Sequence, residues 1–320
     1  MRLSKTIVMW CLTIAVCVVL PVRAEAMRAG GFTENFRLSD SLVPVALEIS
    51  GGYLTGESRE YVYEGSHKLS QLEWQLRDIY MVGANVSVGA TDWLVVNVGG
   101  WMAVNDHAGR MTDYDWTQEN ELMWTDRSIH TAKLERGFML DTNVQTPLHL
   151  NDHFSVAPMV GFKFDNWKWT ARDGSGIYSV NGWHDTPVTF NGKVIDYEQW
   201  YYVPYIGLSA SANYEGFTLD AYARGTIYAW AEDRDNHILR STIFKGKFTH
   251  MRYYGLGVKA GYAFTDRFSL ALAYDYQKFL TRKGDVRIND RTAGDRSYEH
   301  KGGGVDHHSN MFSVSLSYLF

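Results

Sequence analysis

The sequence predicts an all-β protein, a ten-stranded antiparallel transmembrane β-barrel with five long extracellular loops and short periplasmic turns. Three observations lead there. Beyond residue 26 no apolar run is long enough for a membrane-spanning helix, yet apolar residues alternate with small or polar ones at a period of two. The alternation recurs up to a terminal aromatic, Phe320, and the connections between alternating stretches fall into two length classes.

The first element is a targeting segment. Arg2 and Lys5 precede an apolar stretch from Ile7 to Leu20, and Ala24-Glu25-Ala26 is a small-x-small cleavage site. Residues 1–26 therefore read as a secretory signal peptide, and residues 27–320 as one outer-membrane β-barrel domain. Both cysteines, Cys11 and Cys17, fall inside the signal peptide. The mature chain then has no thiol for a disulfide, a thiolate metal site or cysteine catalysis. The full chain carries a net charge of -5, and losing Arg2, Lys5, Arg23 and Glu25 makes the remainder more acidic, so no nucleic-acid partner is expected.

The strands follow. Tyr254, Leu256, Val258, Ala260, Tyr262 and Phe264 form one apolar row, and Phe268, Leu270, Leu272, Tyr274 and Tyr276 another, with Ser269, Ala271, Ala273 and Asp275 between them. The last strand sets Phe312, Val314, Leu316, Tyr318 and Phe320 against Ser313, Ser315 and Ser317. Short turns are expected at Thr91-Asp92, Asn151-Asp152, Tyr214-Glu215-Gly216 and Thr265-Asp266. Long connections are expected from Ser58 to Leu69, Asn105 to Lys133, Asn166 to Tyr197, Glu232 to Lys247 and Thr281 to Asn310. Five long and four short connections join ten strands, an even count that closes a barrel with both termini in the periplasm. A soluble β-sandwich also alternates, but aromatics here gather near strand ends, as a membrane-interface girdle requires.

Two runs carry the chemistry: Asp113-Tyr114-Asp115 and Asp233-Arg234-Asp235-Asn236-His237. Side chains two residues apart in an extended chain share a face, so each run aligns its acids, and the second adds an imidazole. On the barrel topology they occupy the second and fourth long connections, both extracellular. A carboxylate beside a histidine favours the imidazolium, and two acids on one face oppose each other's ionisation, so the four groups would titrate as a set.

The segment Met111-Thr112-Asp113-Tyr114-Asp115-Trp116 and the Asp-x-Asp-x-His of 233 to 237 resemble the two catalytic motifs of the omptins, ten-stranded outer-membrane proteases of Gram-negative bacteria. Further segments follow that pattern in order: Ser58-Arg59-Glu60-Tyr61-Val62-Tyr63, Ser70-Gln71-Leu72-Glu73-Trp74, Trp124 to His130, Trp169 to Arg172, and Pro204 to Leu208. The resemblance implies an endopeptidase that uses no covalent nucleophile. Asp113 and Asp115 would position a water, His237 would take its proton, and Asp235 would orient the ring. It also implies that Glu60 and Asp233 receive a basic side chain before the cleaved bond and Asp126 one after it, so that substrates are peptides or proteins with basic, preferably paired, residues.

The resemblance breaks at one place. Many omptins grip lipid A phosphates with an Arg in a Tyr-x-Glu-x-Arg segment and another just before the Pro-Tyr-Ile-Gly-Leu strand. Here the first reads Phe162-Lys163-Phe164-Asp165-Asn166 and the second position is Trp200, leaving Lys163, Lys168 and Arg172 as partial replacements on the barrel exterior. Lipopolysaccharide is the only non-protein component the resemblance implies, and no metal or other cofactor is expected. Asp306-His307-His308 follows the Gly302-Gly303-Gly304 run and reads as solvated histidines on a mobile loop, and Asp285, Asp290 and Asp295 lack calcium-loop spacing. No nucleophile-elbow motif accompanies the serines. The alternatives are a catalytically silent adhesin or invasin, for which the four aligned groups have no purpose, and a porin, for which interior Tyr222 and Arg224 are too bulky.

Overall fold

The computed structural model describes residues 44–118 and 123–320; the expected signal peptide lies outside them. Antiparallel strands pair in one sheet that closes on itself: β1 (Val45–Glu64), β2 (His67–Thr91), β3 (Leu94–Ala103), β4 (His107–Asp115), β5 (Asp126–Gln145), β6 (Leu148–His149), β7 (Phe154–Tyr178), β8 (Thr186–Tyr214), β9 (Phe217–His237), β10 (Thr242–Ala263), β11 (Phe268–Asp290) and β12 (Asp295–Leu319). β3 and β4 are two halves of one stave, since both lie between β2 and β5, and β6 is a two-residue stub on β7. The ring therefore has ten staves, closed where β1 pairs with β12. Asn105 bridges the break between β3 and β4, its amide donating to the Asp78 carbonyl and its Oδ1 accepting from the Tyr80 N–H, each at 2.8 Å.

The period-two rows are borne out. Phe312, Val314, Leu316, Leu270, Leu272, Leu256 and Val258 face outward and are 44–61% exposed, whereas Ser313, Ser315, Ser317 and Ser269 point inward and are buried. An apolar outer belt with aromatic pairs such as Phe217–Tyr262 and Phe268–Tyr318 at its turn end is the surface that lipid solvates. The short connections fall where expected. At the tightest, Glu215 and Gly216 both take positive φ, 46° and 86°, the geometry of a two-residue hairpin whose twist matches its strands.

At the other end the structure revises the loops. The five long connections are mostly continued strand, with β1–β2, β7–β8, β9–β10 and β11–β12 pairing almost to their tips. Extending the ladder satisfies backbone groups that a wandering loop would have to hydrate, and the strands reach 20–29 residues. Gly302, Gly303 and Gly304 accordingly lie within β12, with Gly303 opposite Val62 and Gly284 and Gly304 opposite Tyr61 and Lys283, and form no mobile loop.

The lumen is filled in two layers. The lower layer is polar: Lys259 pairs with Glu48, Arg224 with Asp141, and Lys163 with Asp165, around a cavity of about 370 Å³. Lys163 is thus an interior residue and cannot replace an external lipid-binding arginine. Phe162 and Phe164 take the outward positions of that strand, so alternation turns Lys163 inward. Lys168 is half-buried and Arg172 exposed. The upper layer is aromatic. Trp74 stacks on Tyr197 at 5.2 Å, Tyr201 packs on Phe279 at 4.2 Å, and Trp167 lies over His307 at 5.5 Å. His307 is fully buried, with Nδ1 2.7 Å from Ser58 Oγ, and Asp306 accepts hydrogen bonds from Tyr61 and Thr281. The expectation of solvated residues at 306 to 308 is therefore wrong. Partners from β1, β7 and β11, remote in sequence, enclose them.

Candidate active site

Above the aromatic layer the extended hairpins surround a groove. On one wall Asp113 and Asp115 stand on β4, held in register by β2 and β5: Leu72 and Ser128 flank Asp113, and Ser70 and Asp126 flank Asp115. Ser70 Oγ donates to Asp113 Oδ1 at 3.1 Å. The opposite wall is β9, where Asp233, Asp235 and His237 alternate inward and are 1–9% exposed. In the ring, β4 and β9 are separated by β5, β7 and β8 on one side and by five strands on the other. The two motifs therefore meet across the mouth, near enough for Asp235 to act on Asp113 and His237 on Asp115, with burial the larger effect in each case.

Asp235 Oδ2 lies 2.5 Å from His237 Nε2. Phe244 on β10 approaches the imidazole edge-on at 5.3 Å, which fixes the ring plane. Asp235 Oδ1 and Glu60 Oε2 are buried and accept no hydrogen bond from the described residues, so both keep lone pairs for a ligand. Burial first, then the neighbouring Asp115, pushes Asp113 well above the usual carboxylate range, and burial also raises Asp115. Both acids are thereby biased towards their protonated forms.

Glu60 and Asp233 lie together, at one side of the groove, in a pocket of about 350 Å³ whose walls include Phe244, Phe248, Val286 and Ile288. Burial, then the charges of Asp235, Asp233 and Asp113, hold Glu60 well above its ordinary range. Asp233 accepts from the Gly246 N–H at 2.7 Å and from Tyr197 Oη at 3.1 Å, yet burial outweighs both and its carboxyl is pushed up to about 7. Asp126, also buried, is satisfied by its own surroundings, since Ser179 N–H (2.8 Å) and Thr125 Oγ1 (2.9 Å) donate to it. The structure thus brings all seven singled-out residues to one groove, and Asp126 enters it already hydrogen-bonded.

Three participants escape the motifs. Ser70 anchors Asp113, and Tyr197 donates to Asp233; Ser70 stood only within a segment of general resemblance and Tyr197 at the end of a long connection. Arg240, three residues beyond His237 on the β9–β10 tip, places Nη2 2.6 Å from His237 Nδ1. Among the described residues no group of histidine, cysteine and carboxylate side chains has metal-site geometry.

Comparison with known proteins follows the same boundaries. The omptin family model matches residues 42–320. The plasminogen activator of Yersinia pestis is 30% identical over 275 residues, 85% of this chain and 88% of that protein. Outer membrane protease OmpP of Escherichia coli K12 is 29% identical over 284 residues, 86% of this chain and 90% of that protein. The crystal structure of outer membrane protease OmpT from Escherichia coli superposes with a TM-score of 0.84 at 27% identity, covering 87% of this chain and 97% of that one.

Proposed function

The chain belongs to the omptin family of Gram-negative outer-membrane proteases, and from that premise we propose that it cleaves peptide bonds next to basic residues with a water activated by the Asp235–His237 couple. The observation that carries this reading is the pocket holding Glu60 and Asp233 beside that couple. Buried carboxylates with lone pairs to spare are costly unless a cation completes them. An arginine guanidinium, always charged and rich in donors, is that complement. Asp126, across the groove, supplies a second acid for a basic residue on the leaving side.

The reaction follows from the arrangement. His237 takes a proton from the attacking water while Asp235 holds the ring and offsets the imidazolium charge. Asp113 and Asp115, which burial biases towards their protonated forms, position the water from the opposite wall and give a hydrogen bond to the carbonyl oxygen as it becomes an oxyanion. The proton then returns from His237 to the departing amine. No covalent intermediate is needed, because the water is held between two walls that each carry an acid.

The test is cleavage of quenched peptides with Arg-Arg, Arg-Lys or neutral centres by the refolded barrel, with and without lipopolysaccharide. Basic-centred peptides are expected to be cut and neutral ones poorly; uncut peptides of every kind would return the protein to the adhesin reading. The lipopolysaccharide arm is informative because Arg136 Nη1 stands 3.0 Å from Asn166 Oδ1, which puts a cation beside the position where the family arginine is missing.

A further inference from the structure

Both nitrogens of His237 are engaged. A guanidinium only donates, so Arg240 Nη2, 2.6 Å away, must meet an unprotonated Nδ1, and the ring proton sits on Nε2 towards Asp235. The lone pair that would accept a proton from water is the one that Arg240 covers. No other ring atom can serve as the base while this contact stands.

Arg240 is held by weak means. It lies on the four residues that join β9 to β10, and its side chain is exposed along much of its length. Its backbone carbonyl accepts from Thr242 Oγ1 at 3.1 Å, and Ser241 beside it takes a positive φ of 52°. What draws the guanidinium inward is charge: its field reaches Glu60, Asp113 and Asp115, on two walls of the groove. These are the acids that a basic substrate would use.

We infer that Arg240 is a built-in occupant of the acid groove, a specificity-determining residue that caps the base until a basic substrate side chain displaces it. The inference rests on the reading of His237 as the base. When a substrate cation enters the pocket of Glu60 and Asp233, the acids that hold Arg240 become neutralised and the two cations repel each other. The exposed stem then swings to solvent and Nδ1 is uncovered. A neutral side chain does neither, so the base stays covered. Charge is thereby read twice, once in binding and once in turnover. The groups facing the ring are consistent with a single controlling cation: Asp235 on β9 and Asp115 from β4 are acids and Arg240 is the cation, whereas Ile195 from β8 and Thr242 and Phe244 from β10 do not ionise.

The experiment measures kcat and KM for an Arg-centred peptide and its neutral isostere with wild type, Arg240→Ala, Arg240→Gln and Arg240→Lys, using His237→Ala as control and heat-modifiable gel migration to verify folding. Removing the cation is expected to raise kcat for the neutral peptide at least tenfold and to change kcat for the Arg peptide less than threefold. Arg240→Lys is expected to stay near wild type. An equal change for both peptides in Arg240→Ala and Arg240→Gln, or a fall in kcat for the neutral one, would overturn the inference while an inactive His237→Ala leaves the base assignment intact. Activity surviving in His237→Ala would overturn both. Arg240→Gln keeps a donor of similar length without charge, so it remains decisive if the alanine variant does not fold.

Discussion

Asp233→Asn tests the acid pocket most directly, because the change keeps shape and removes charge. The asparagine can turn its oxygen towards the Gly246 N–H and its amide towards Tyr197 Oη, which replaces both hydrogen bonds that Asp233 accepts. What disappears is the carboxylate facing a bound guanidinium. Breaking a desolvated charge pair costs about 2–4 kcal/mol, roughly 30- to 1,000-fold in kcat/KM at 1.4 kcal/mol per decade. Glu60 remains in the pocket, which places the expectation in the lower half of that range. The pH dependence sharpens the test. Asp233 is pushed up to about 7 by burial, so below that pH it is protonated and a bound arginine must first expel the proton. Each unit of pH below 7 then costs about 1.4 kcal/mol, a tenfold loss, for Arg-centred peptides alone. The ratio of kcat/KM for Arg over neutral peptides should therefore climb as pH rises to about 7 and level off above it. Using the ratio cancels His237, which serves both substrates. Asp233→Asn should make the slope shallower, with Glu60, also raised by burial, keeping its own share. A ratio independent of pH in wild type, or an equal loss for both peptides in the variant, would refute the placement of Asp233 in the specificity pocket.

Alanine at Asp113, Asp115, Asp235 or His237 should each lower cleavage by at least about a hundredfold, the low end for a lost acid–base group, with heat-modifiable migration unchanged, since all four stand above the lipid-facing rows. Asp126→Asn should reduce selection after the cleaved bond and also loosen the β7–β8 tip, because Ser179 donates to that carboxylate; limited proteolysis of the tip reads the second effect. Asp233→Asn should also stabilise the free protein at alkaline pH. A carboxyl whose folded value is raised loses stability as pH climbs from its ordinary value of 3.8 to about 7, so the gain in Tm should be absent near pH 4 and complete above about 7. In the lumen, Lys163→Ala leaves Asp165 as an unpaired buried charge, which costs about 3–5 kcal/mol; denaturant unfolding in detergent should show that loss, and no loss would mean that water reaches Asp165.

Much of this was legible in the sequence because lipid imposes a strict rule on a barrel wall. Rows such as Phe312 to Phe320 must be apolar on one face only, and Glu215-Gly216 must turn. Above the lipid that rule lapses. Both faces of the hairpins meet water or aromatic neighbours, so the period-two signal fades and continued strand looked like loop. The two acid motifs survived because residues two apart stay aligned whether the segment is called loop or strand. The errors share a cause. His307 is enclosed by Ser58 and Trp167, and no local pattern announces partners that distant. Lys163 is different, since Phe162 and Phe164 on either side already implied that it points inward. Arg240 gave no local sign, because only the closure of the β9–β10 tip brings it back to His237.

The length of the staves fixes what the enzyme can touch. Asp235 is the nineteenth residue of β9, so at about 3.3 Å per residue and a tilt near 40° it stands roughly 45 Å above the periplasmic turn. A lipid-facing belt is about 25 Å tall, which leaves the groove roughly 20 Å clear of the hydrocarbon edge. A substrate anchored in the same membrane must therefore bridge that gap. At about 3.3–3.6 Å per extended residue, an extended tether shorter than about six residues cannot deliver a scissile bond at its end.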